Sequence, residues 1–115
     1  MKNSTINIVN AVGDSFCVEA DDGQKVYELI KKALLENRKV TLSFLNVEML
    51  TTAFLNTAVG QLYRDFSEEI IKDSLTVEHL SDSGAVSLKR VVDTAKLYYK
   101  DPEAMQRSIN DIMGE

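Results

Sequence analysis

At 115 residues, 44% hydrophobic and 27% charged, the chain has the length of one ordinary domain and enough apolar content to bury a single core. A formal net charge of −5 and a lone cysteine, Cys17, argue against a basic nucleic-acid face, a disulfide framework and a metal site built on several thiolates. There is no run of eighteen apolar residues, and the apolar stretch after Met1-Lys2-Asn3-Ser4 is too brief for a signal peptide, so the expectation is a cytoplasmic protein with no membrane span, no nucleic-acid partner and no cofactor.

Thr5 to Val9 alternates and is rich in β-branched residues, Asn10 to Asp14 carries turn residues including Gly13, and Ser15 to Val18 is a second short strand, which together predict an opening hairpin. Cys17 reads as a small buried hydrophobe within it. Asp21-Asp22-Gly23 then precedes a helix over Gln24 to Asn37, where Val26, Leu29, Ile30, Ala33 and Leu34 recur at steps of three and four, with the aspartates as its N-cap. Val40 to Phe44 places Val40, Leu42 and Phe44 on one face and predicts a central strand.

Residues 45–50 form a loop leading to Thr51-Thr52 and a second amphipathic helix with Leu55, Ala58, Val59, Leu62 and Phe66. Gly60 falls inside that helix at a penalty of about 1 kcal/mol relative to alanine, so either close packing on the sheet or close approach of a partner must compensate. Ser67-Glu68-Glu69 caps a short turn through Ile71, a strand follows near Ser74 to Leu80, and Ser81 to Gly84 breaks the chain before a helix over about Ala85 to Tyr99. Asp101-Pro102-Glu103 starts a final helix at about 102–113, striped by Met105, Ile109, Ile112 and Met113. The expected fold is α/β, a single domain over 1–115 with a small mixed β-sheet covered by helices, in the order β-β-α-β-α-β-α-α.

No catalytic set emerges. The five glycines are too scattered for a phosphate loop, and the carboxylates of Asp21-Asp22 and Asp65-Glu68-Glu69 read as caps and solvated faces, so no metal is expected. His79, the only histidine, lies far in sequence from Cys17 and reads as a structural residue at a strand end. The chain is therefore expected not to be an enzyme.

The segment Val40 to Leu62, V-T-L-S-F-L-N-V-E-M-L-T-T-A-F-L-N-T-A-V-G-Q-L, resembles the central signature of STAS domains, the fold of bacterial anti-sigma-factor antagonists. More closely it resembles the STAS-like family of unknown function, in which the helix start runs small, small, Ala or Ser, Phe. With Asp22-Gly23 ahead of the first helix, the resemblance extends over roughly Thr5 to Tyr99. It implies a regulatory module that docks a histidine-kinase-type ATPase through the loop and helix at 45–63, with Thr52 in the place of a phosphorylatable serine and Thr51 in that of the aspartate before it. Ser43 stands where an aspartate is often found, and Phe54 where a glycine is usual. The candidate phosphoacceptor and docking residues are Thr51, Thr52, Phe54 and Asn56. A threonine pair before an apolar helical run is equally the ordinary capping arrangement, expected at or next to Thr52. The alternative function is a small structural subunit or homodimer paired through the C-terminal stripe.

Overall fold

Residues 3–100 are described by a computed structural model, in which the elements run β1 (Asn3–Asn7), α1 (Ile8–Val12), β2 (Phe16–Cys17), α2 (Ala20–Leu35), β3 (Lys39–Ser43), β4 (Met49–Leu50), α3 (Thr52–Leu55), a π turn (Asn56–Gly60), α4 (Leu62–Asp65), α5 (Glu68–Ser74), β5 (Leu75–Glu78) and α6 (Asp82–Lys100). The helix expected at about 102–113 lies outside the described residues. Strand β3 is central, as its alternation implies: Val40, Leu42 and Phe44 are buried, and β1 and β5 flank it in the order β1-β3-β5. Both pairings are parallel, so the sheet is not mixed. Ile6, Leu42 and Val77 share one register row on the core face, while Thr5, Thr41 and Thr76 share a row on the opposite, polar face.

The opening hairpin does not form. Asn7 accepts a hydrogen bond from the Asn10 amide at 3.0 Å and caps α1, and Gly13, at φ 84, closes that helix through its amide to the Val9 carbonyl at 2.7 Å. Ile8 and Val9, expected in a strand, and Asn10 to Val12, expected in a turn, thus form one short helix that Asn7 and Gly13 cap and that buries Ile8 and Val12. Strand β2 pairs instead with β4, in parallel, with Phe16 opposite Met49 and Cys17 opposite Leu50.

Helix α2 begins at Ala20, ahead of the expected Gln24. Its N-cap, Glu19, makes no side-chain cap bond, and Asp21 and Asp22 lie within the first turn, where their charge favours the positive end of the helix. It ends where Asn37 enters the left-handed region, φ 59, with the Asn37 amide bound to the Leu34 carbonyl and the Arg38 amide to the Ala33 carbonyl, each at 3.0 Å. Leu29, counted in the apolar stripe, is 45% exposed.

The second amphipathic helix is interrupted. At the π turn the Gln61 amide reaches back five residues to the Asn56 carbonyl at 3.2 Å, which frees the Thr57 carbonyl it would serve in a regular α-helix. The Gln61 side chain takes over, donating from Nε2 to Thr57 at 2.8 Å and to Gln24 Oε1 on α2 at 2.9 Å. The wider turn buries Ala58, Val59 and Gly60 in succession between α2 and α6. Gly60 faces Val91 and Ala95 of α6, not the sheet. Ser67 caps α5 through the Ile70 amide, as its sequence implies, and the Ser81 hydroxyl accepts from the Gly84 amide at the start of α6.

Candidate functional site

The carboxyl ends of β3 and β5 open onto a cleft of about 340 Å³, bounded by the chain from Phe44 to Leu50 on one side and by the first turns of α6 on the other. Clefts at this edge of a parallel sheet are where α/β folds hold ligands and partners, because loops there are free of the sheet ladder. Its rim is apolar at Leu45 and Met49, which are 46% and 51% exposed. Phe16, opposite Met49 in the two-stranded sheet, is 49% exposed, whereas the alternate pair Cys17 and Leu50 faces inward. Half-exposed Phe16, Leu45 and Met49 thus lead directly to the start of α3.

At that start it is Thr51, not Thr52, that caps the helix. The Thr51 hydroxyl accepts from the Phe54 amide at 3.2 Å and donates to the Val18 carbonyl at 2.6 Å, tying α3 to the end of β2. Both uses of the hydroxyl are internal. Thr52 follows as the first helical residue and is exposed, as is Ala53. Asn56 is also exposed, at the first position of the π turn. Phe54 is fully buried, so it belongs to the core and not to the surface. Of the four candidates, then, Thr52 and Asn56 reach solvent, while Thr51 and Phe54 fix the helix that presents them.

The family of STAS-like domains of unknown function (DUF4325) matches residues 22–85, more than half of the chain. The chain belongs to this STAS-like family. The match begins in the first turn of α2 and ends in the first turn of α6, so it contains the central strand, the loop and the helix from which the resemblance was read. No curated protein and no solved structure matches the chain.

Of the other chemistry-bearing residues of this STAS-like domain, His79 lines the cleft and Cys17 does not. Cys17 is buried, and burial, aided by the charges of Asp22 and Asp14, pushes its thiol up to about 11, the opposite of an activated nucleophile. His79 is exposed at the strand end, one residue beyond β5, at φ 58. Among the described residues no three His, Cys, Asp or Glu side chains stand close enough to hold a metal ion, and no helix is long and apolar enough to cross a membrane. Tyr27 of α2 donates its hydroxyl to the carboxylate of Asp65 on α4, and Arg64 binds that carboxylate through Nε at 3.1 Å. Neither the Phe16–Met49 pairing nor this clamp was anticipated: two-residue strands are too short for periodicity to register, and a contact between residues 38 positions apart has no local signal.

Proposed function

We propose that this STAS-like domain is a cytoplasmic, non-enzymatic interaction module that docks a regulatory protein through the surface formed by the loop and helix at 45–63, joined by Phe16. The observation that carries this reading is the half-exposed apolar cluster Phe16, Leu45 and Met49 leading to the exposed Thr52 at the start of a helix. Contiguous apolar side chains left in water beside polar ones mark a surface that gains free energy when a partner covers it. The partner class is the one the resemblance implies, an ATPase of the histidine-kinase type.

Thr52 is the phosphoacceptor under this reading. A phosphate there adds close to two negative charges at the positive end of the helix, which tolerates them, and against any acidic or apolar partner surface, which does not. Fold and docking are therefore separable at this residue. The test is the affinity of the purified domain for a histidine-kinase-type ATPase from the same cells, measured for wild type, Met49→Glu and Thr52→Asp. Both variants should melt like wild type and bind at least tenfold more weakly. Unchanged affinity in both would remove the docking surface from 45–63.

A further inference from the structure

Two acidic side chains, Asp14 and Glu48, flank the exposed Phe16–Met49 pair, and both are exposed and held in place. Asp14 Oδ1 accepts from the Phe16 amide at 3.0 Å, and Glu48 Oε2 accepts from the Ser15 hydroxyl at 2.6 Å. The Glu48 amide donates to the Ser15 carbonyl at 2.9 Å, which sets both carboxylates at one end of the β2–β4 pairing. Each keeps an oxygen to which no described residue donates, and neither forms an ion pair among the described residues. The setting is acidic throughout. Residues 3–24 and 40–63, which carry both strands and the loop before β4, contain five acids and neither lysine nor arginine. These segments therefore hold the whole formal net charge of −5, while thirteen acids and thirteen bases elsewhere in the chain cancel.

We propose that the partner covering Phe16 and Met49 is a protein surface that sets lysine or arginine against Asp14 and Glu48, beside an apolar side chain of its own. This rests on the docking reading above and names the chemistry of the partner. An apolar patch alone accepts any apolar surface, whereas carboxylates already oriented by Ser15 and the Phe16 amide lose little freedom on pairing and reject an acidic partner. The negative field of the surrounding segments steers a cationic surface toward the patch and raises its association rate. A second copy docking through the same face would set Asp14 and Glu48 against like charges, so this face does not fit itself. Thr52 lies at the other end of the pairing, next to Thr51, which binds the Cys17 and Val18 carbonyls. A phosphate at Thr52 and the basic contact at Asp14 and Glu48 thus act on separate parts of the partner.

The test is the association rate and affinity of the full chain for the purified histidine-kinase-type ATPase from the same cells, measured across salt concentration. Wild type is compared with Met49→Glu and with the double variant Asp14→Asn, Glu48→Gln. The amides keep the oxygens that accept from Phe16 and Ser15, so the double variant loses charge and not structure, and should melt like wild type. It should associate about tenfold more slowly at ~0.05 M salt and match wild type within about twofold at ~1 M, where charges are screened within about 3 Å. Glu48→Lys should slow association further at low salt. Weak binding of Met49→Glu beside wild-type rates for the double variant at every salt concentration would overturn the basic partner and leave the docking surface standing. Unchanged binding in both would remove the surface and the proposal together. Faster association of the double variant would assign an acidic partner and equally overturn the proposal.

Discussion

A Cβ placed on Gly23 would lie 2.5 Å from the Phe54 carbonyl oxygen, so the backbones of α2 and α3 touch at a point where no side chain fits. The same Cβ would meet Thr57 Cβ at 3.0 Å and the Ala58 amide nitrogen at 3.2 Å. Gly23 therefore sets the distance at which the candidate docking helix sits against α2.

Gly23→Ala should destabilise the domain by about 1–3 kcal/mol, because the nearest atoms belong to backbone and cannot rotate away. Gly60→Ala should do the reverse. Its Cβ would meet Val91 Cγ1 at 3.6 Å and Ala95 Cβ at 3.8 Å, which is ordinary contact, and alanine restricts the unfolded chain, adding up to about 1 kcal/mol. Thermal or urea unfolding of the two variants side by side checks both signs.

Gln61→Leu should lower stability by about 1–3 kcal/mol, since it leaves the Thr57 carbonyl and the Gln24 side chain without the donor that the π turn requires. Hydrogen exchange should rise first in residues 56–61. Unaltered protection there would mean the wide turn does not depend on this side chain.

Thr51→Ala should be destabilising by about 1 kcal/mol or more, because its hydroxyl both caps α3 and holds Val18. Thr51→Ser should restore most of the loss. Thr52→Ala, at an exposed first-turn position, should stay within about 0.5 kcal/mol of wild type. Equilibrium denaturation orders the three.

Cys17 should resist thiol reagents in the native protein at pH 8 and react readily once unfolded, because its folded thiol ionises only near 11. The folded form holds its proton longer than the unfolded one, whose reference value is 9.0, so stability should fall as pH rises from 9.0 toward about 11. Cys17→Ala should flatten that part of the stability curve.

Arg64 holds the Asp65 carboxyl below its usual range, and the Tyr27 hydroxyl adds to the effect. A carboxyl whose folded value is depressed contributes stability above its unfolded value, and that contribution disappears as pH falls through the folded one. Tyr27→Phe should move the Asp65 titration upward toward the ordinary range in an NMR pH series. An unmoved titration would show that Arg64 alone sets it.

Much of this domain was legible in the chain itself. Val40, Leu42 and Phe44 alternate strongly enough to identify the central strand, Val26, Ile30, Ala33 and Leu34 mark the buried face of α2, and Ser67 marks the start of α5, because each signal lies within a few residues of its effect. Thr51-Thr52 was found as a helix start, but which hydroxyl caps it was settled by the Val18 carbonyl, contributed from 33 positions away. Asn7 and Gly13 are compatible with either a hairpin or a one-turn helix, and burial of Ile8 and Val12 against the core selects the helix. Gly60 showed that the helix was unusual without showing how; the π turn and the Gly23 contact arise where the helix over 52–65 packs against α2 on one side and α6 on the other, a spacing no local pattern encodes. The sequence thus determined its elements through local propensity and periodicity, whereas strand pairing, the capping hydroxyl and the exposed Phe16, Leu45 and Met49 surface were decided by contacts between distant residues, which exist only once the core has closed.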